Sequence, residues 1–325
     1  VWDLQGALVL PTMVDAHLHL DKAFTLERMG AVKPGLLAAI EAMMVDKQNW
    51  TAADVRRRAG QGLQWAYEAG VSHARSHCDW WEPDSVPVAW EVLRELAQEW
   101  AGRVLLERVS LIPLHLYEER GMAMRLAKQV ALSGAGALLG GFVHSTNWSP
   151  QALRNLLEAA QQHGLDVDLH VDEELNPAAQ GLATTAALLK ELRFEARVVC
   201  GHTCALAAQP LEQALRTLDA VAGTPITMVS LPVTNLLLQD AQTGVTPRQR
   251  GLTLVELIVA MVVISVGVAG VLSAFNVSVR SSADPLVAKQ AVALGEALVE
   301  EVSLAPFTWC DPDDANAETA SSAGD

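Results

Sequence analysis

His17 and His19 stand one residue apart in the run PTMVDAHLHLDK, residues 11–22. Alternate residues of an extended strand face the same side, so both imidazoles can reach one point. Paired neutral imidazoles suit a borderline or hard divalent cation. An isolated HxH is an ordinary pair, and its weight here comes from further along the chain. His77 in SHCD, His170 ahead of Asp172, Glu173 and Glu174, and His202 in CGHT each close an apolar run. If those runs are parallel strands of one barrel, their C-terminal tips converge on a single pocket. An ion held there would bring the pKa of a bound water to about 7. Glu173, three residues beyond His170, can then carry a proton from that water to a departing nitrogen. The plain alternative is a solvated strand-end carboxylate, the reading preferred for Glu174.

The elements that must position these groups follow from the hydrophobic pattern. Strands are predicted at 8–14, 71–76, 104–114, 137–143, 165–171, 197–201 and 226–231. Helices are predicted between them, including 52–69, 85–99, 150–163 and 177–192, with Thr51 and Ser149 as N-caps and Pro150 in the first turn. This alternation predicts an α/β fold with parallel pairing. Reactive residues at strand ends favour a (β/α)8 TIM-type barrel, one strand short at seven. A Rossmann fold is excluded because no GxGxxG follows the first strand.

Composition separates a second region. The chain is 50% hydrophobic, with a mean hydropathy of +0.20, which directs attention to a membrane segment. Residues 252–275 are apolar apart from Glu256 and a few hydroxyls, long enough to cross a bilayer, with Arg248 and Arg250 expected on the cytoplasmic side. Beyond it an amphipathic helix is predicted to about residue 304, then an acidic, disordered tail over 305–325. Residues 252–325 hold two basic side chains against ten acidic ones. The expected division is therefore a barrel over 1–251, a helix over 252–304 and the tail. A net charge of −15 argues against nucleic acid or an anionic membrane surface as the main partner. Four scattered cysteines suit a reducing compartment. Val1 opens directly on a strand approach, so a preceding segment is expected.

The motifs 11–22, HVDE (170–173), GHTC (201–204) and LPVTN (231–235) resemble, in order, those of the cytosine deaminase type of metal-dependent amidohydrolase. The resemblance implies His17, His19 and His170 as ligands of one divalent ion, iron or zinc. It implies Glu173 as proton shuttle and His202 as the residue orienting water, while Asn235 and Gln239 match a segment assigned here to substrate binding. The family's glutamine after the proline of the third strand is replaced by Leu114, which puts cytosine itself in doubt and leaves a cyclic amidine, triazine or isocytosine-like substrate open. The fourth ligand, an aspartate on an eighth strand, finds no counterpart, so impaired activity is expected, with Asp240 or Asp284 as weak substitutes. The nucleic-acid-editing deaminases are excluded, since their PCxxC is absent.

The start RGLTLVE (250–256) is similar to a type IV pilin-like segment. That resemblance implies cleavage after Gly251, methylation of Leu252 and assembly through Glu256, a carboxylate costly inside a membrane. The two resemblances together imply a chimera. The leading expectation is a hydrolytic deaminase of a small nitrogen heterocycle, cytoplasmic, with a homo-oligomer and inner-membrane association through 252–275 both open. The rivals are a pilin-like membrane or assembly subunit and a fragment with no function of its own.

Overall fold

Apolar runs become strands and amphipathic runs become helices throughout the region that the computed structural model describes, residues 9–240, 292–297 and 299. The chain divides into two compact units, Val1–Leu254 and Val255–Asp325. In the second, residues 292–297 are helical. The first unit runs β1 (Met13–Leu18), α1 (Leu26–Met29), α2 (Leu36–Asp46), α3 (Ala52–Glu68), β2 (Val71–Asp79), α4 (Val88–Glu99), β3 (Leu105–Leu111), α5 (Arg120–Leu132) and β4 (Ala137–Val143). It continues with α6 (Pro150–His163), β5 (Val167–Val171), α7 (Gly181–Leu192), β6 (Val198–His202), α8 (Ala205–Ala208), α9 (Leu211–Val221), β7 (Ile226–Val229) and α10 (Pro232–Asn235).

The strands pair in chain order, β1 to β7, and every pairing is parallel. Connecting helices cover the outer face, and inward side chains fill the middle. The central strands are covered on both faces, and their helix-facing positions are apolar: Leu139, Val143, Val167, Leu169, Val171, Val198 and Cys200 are fully buried. The sheet curls into a nearly closed barrel, for the His17 ring on β1 lies 4.9 Å from the His202 ring at the end of β6. Among the described residues the barrel has seven strands.

The helix caps act as their residue types dictate. The Thr51 hydroxyl accepts from the N–H of Asp54 at 3.2 Å, and that of Ser149 accepts from the N–H of Ala152 at 3.1 Å. Several elements depart from the predicted bounds, three of them for a visible reason. β1 begins at Met13 rather than residue 8, because Pro11 has no N–H for the ladder and pairing with β2 starts at Met13 opposite Val71. β3 stops at Leu111, and Leu114–Tyr117 forms a short 3-10 turn after Pro113. α7 begins at Gly181 rather than 177, where the Asp172 carboxylate accepts from the N–H groups of Gly181 and Leu182 at 3.0 and 2.9 Å.

Several expectations lie outside the described residues: the eighth strand and its aspartate, Asp284, the side chain of Asp240, the apolar run 252–275, and the processing positions Gly251, Leu252 and Glu256. Among the described residues no helix is long and apolar enough to cross a membrane.

Candidate metal centre and active site

Four strands bring five imidazoles to one place. His17 lies on β1 and His19 just past it, His77 on β2, His170 on β5 and His202 at the tip of β6. The His17 ring stacks on His77 at 3.9 Å and lies 4.5 Å from His170, while His170 and His202 are 4.6 Å apart. Two overlapping triads, His17–His19–His77 and His17–His170–His202, each hold their nitrogens within 4.8 Å of one another. The Nε2 atoms of His19 and His170 face each other at 3.3 Å.

This donor set fits a divalent cation on two grounds. Both ring nitrogens of His17, Nδ1 of His19, His77 and His170, and Nε2 of His202 are buried without a hydrogen-bond partner. Buried polar atoms ordinarily find partners, so a cluster of orphaned imidazole nitrogens marks a place built for something else. Burial, reinforced by the crowding of the other imidazoles and, for His17 and His19, by Lys22, also holds His17, His19 and His170 well below the usual histidine range, in the neutral form that ligates.

Further contacts orient the rings. His77 Nε2 lies 3.1 Å from Asp168 Oδ1, which orients the ring and leaves Nδ1 without a partner. Asp168 is held in turn by Arg75 at 2.9 Å, and Arg75 reaches Glu107 at 2.6 Å. His202 Nδ1 lies 2.9 Å from Asn235 Oδ1 and 3.2 Å from Glu173 Oε1. Burial lowers His202 to about 4. Burial also raises the Glu173 carboxyl to about 8, against the opposing charge of Lys22. Gln239 Nε2 donates to the Glu173 carbonyl at 2.8 Å.

The backbone is strained at this point. Asp172, His202 and Thr203 take φ of 51°, 69° and 49°, in the left-handed region that non-glycine residues avoid. Gly201 is required by proximity: a Cβ there would stand 3.1 Å from the His17 ring.

A cavity of about 170 Å³ opens above the cluster, lined by His19, His170, Glu173 and His202 at one end. Its other walls come from Leu36, Ile40 and Met43 of α2, from Leu111, Phe142 and Trp81, and from the charged pair Lys22 and Asp79. The structure brings His17, His19, His170, His202 and Glu173 together, while Asn235 and Gln239 touch the His202 ring and the Glu173 carbonyl and do not line the cavity. It does not bring Leu114 there. Leu114 is fully buried in the apolar core, and Leu111 lines the cavity instead. The pattern analysis left out Arg75, Asp79, Asp168 and Trp81 and gave His77 no ligand role. The signal was the strand period of two, since Arg75, His77 and Asp79 alternate on β2 and Asp168 precedes His170 by two on β5.

A nearly closed parallel barrel with imidazoles at its strand tips defines a class, the metal-dependent hydrolases built on TIM-type barrels. The chain belongs to the amidohydrolase family, whose pattern matches residues 26–266. It is 37% identical over 255 residues to a pterin deaminase of Rhizobium rhizogenes, covering 78% of this chain and 58% of that protein. It is 24% identical to an N-isopropylammelide isopropyl amidohydrolase of Pseudomonas sp., covering 72% and 61%. Among solved structures, 5-methylcytosine deaminase of Klebsiella pneumoniae bound to phosphonocytosine superposes with a TM-score of 0.65 at 26% identity, covering 79% of this chain and 62% of that one. The chain thus spans about three fifths of the length of these relatives. The family match extends past Gly251 to residue 266, and nothing in the comparisons supports a pilin-like segment or a chimeric join.

Proposed function

We propose that this protein is a metal-dependent hydrolytic deaminase of a small nitrogen heterocycle, with His17, His19 and His170 holding one divalent ion. The observation that carries the reading is the convergence of orphaned imidazole nitrogens beside a buried carboxyl group at the end of a cavity. When bound, the ion supplies the Lewis acidity that makes water nucleophilic near neutral pH. With the ion's positive charge offsetting the burial that raises it, Glu173 would be ionised and accept a proton as the water oxygen bonds to the ring carbon that carries the exocyclic nitrogen. The carboxyl passes that proton to the adjoining ring nitrogen, which takes the C=N electron pair, and then carries the remaining hydroxyl proton to the exocyclic nitrogen, so that the C–N bond breaks and ammonia leaves as the carbonyl forms. His202, held by Asn235 through Nδ1, keeps its Nε2 lone pair to orient the attacking water. Gln239 steadies the Glu173 backbone and acts beside the substrate rather than through it.

The relatives' names, a pterin deaminase, a 5-methylcytosine deaminase and an N-isopropylammelide amidohydrolase, support a substrate among nitrogen heterocycles. The test is ammonia release from pterin, isocytosine, cytosine and ammelide by the full chain loaded with zinc or iron. Turnover of at least one, abolished by chelation and restored by metal, is expected. A folded protein with stoichiometric metal that releases ammonia from none of them would sink the reading.

A further inference from the structure

Besides the histidines, the cavity wall carries further polar equipment. Lys22 Nζ donates to Asp79 Oδ1 at 2.8 Å. The Asp21 carboxylate clamps both backbones, accepting from the N–H groups of Lys22 and Asp79 at 2.9 Å each. Arg58, itself fully buried, donates to the carbonyls of Asp21 and Ala23 at 2.7 and 2.8 Å and fixes the turn after β1. This much buried support exceeds what a surface ion pair needs, and it presents atoms that are left unmatched. Asp79 Oδ2 and Trp81 Nε1 are buried with no partner, although Asp79 and Trp81 both line the cavity. Unmade hydrogen bonds at buried atoms are costly, and a bound ligand is the natural place for them to be made.

We propose that Lys22, Asp79 and Trp81 form a recognition edge for a lactam, and that the substrate class is a neutral planar heterocycle with a ring N–H beside a carbonyl. Asp79 Oδ2 accepts the ring N–H, while Lys22 Nζ and the Trp81 indole N–H donate to the carbonyl oxygen. Lys22 and Asp79 cancel in charge, which disfavours anionic heterocycles. Leu36, Ile40, Met43, Leu111 and Phe142 supply apolar contact for the ring faces. The position after Pro113 supplies no polar group, since Leu114 is buried away from the cavity. The inference rests on the deaminase reading and adds the half of the substrate that does not react.

The experiment is calorimetric binding to the zinc-loaded full chain, with Glu173→Gln to prevent turnover. The ligands are pterin, 3-methylpterin, whose lactam nitrogen is blocked, and 2,4-diaminopteridine, which has no lactam. Pterin is expected to bind about tenfold tighter than either analogue or better. Adding Asp79→Asn or Trp81→Phe should remove that preference and leave the analogues within about twofold. Should Asp79→Asn fail to fold, Trp81→Phe alone decides. Equal affinity for the three ligands, or variants that weaken all three alike while the parent chain still deaminates pterin, overturns the lactam edge and leaves the deaminase reading standing. No binding of any ligand, together with no ammonia release by the parent chain, overturns both.

Discussion

Two parts of the cavity lining are built differently. The histidine end sits on strand tips, where His77, His170 and His202 are buried and the backbone is locked into parallel ladders. Each ring there has a carboxylate, amide or neighbouring ring to orient it. The apolar wall leans on α2, which buries only Met43 and Asp46 and has no side-chain N-cap, with Leu37 and Val45 exposed. Reacting groups need fixed geometry, whereas apolar contact to a ring face tolerates movement. The difference teaches that the chemistry of this barrel is held rigidly while its fit to a given ring is set by a lightly anchored helix.

That contrast can be broken, beginning with the largest effect. His17→Ala should abolish stoichiometric metal, read by elemental analysis, and take activity to background. A variant that keeps both would remove His17 from the site. Glu173→Gln should retain metal but lower kcat by about 10²–10⁴-fold, and full activity in that variant would require another proton carrier. Asp168→Asn loosens the orientation of His77 without touching the cavity. His77 stacks on the proposed ligand His17 at 3.9 Å, so metal affinity should fall by about tenfold at most, and an unchanged affinity would confine His77 to packing. On the other wall, Ile40→Ala removes apolar contact alone, so KM should rise by about tenfold or less with kcat nearly unchanged. A collapse of kcat there would mean that α2 positions the reacting atoms after all.

The smallest effect concerns the anchoring of α2. Asp46 accepts from Arg28 at 2.5 and 2.8 Å and from the Trp50 indole N–H at 2.7 Å. Burial would raise its carboxyl, but the bonds from Arg28 and Trp50 outweigh that and hold it below the usual value. A carboxyl whose folded pKa is depressed contributes stability above its unfolded value of about 3.9, lost as pH falls through the folded value. Asp46→Asn should therefore cost about 1–2 kcal/mol at neutral pH and flatten the acid limb of a denaturation profile. Parallel profiles for variant and parent would show that Asp46 does not titrate with folding.

Much of the barrel was legible beforehand because its signals are local. Ala137–Val143 and Pro150–His163 fall where the apolar run and the Ser149–Pro150 start place them, since a buried parallel strand and a capped amphipathic helix are each written in consecutive residues. His17, His19, His170 and Glu173 could be singled out for the same reason, their motifs being short. The tertiary structure alone decided which distant groups meet. It brought His77 onto Asp168, 91 residues away, and Lys22 onto Asp79, 57 residues away. It also turned Leu114 into the core after Pro113 and left Leu111 on the cavity. Periodicity fixes which face of a strand a residue occupies. What stands across the barrel from that face depends on closure and register, which are set by packing over the whole sheet.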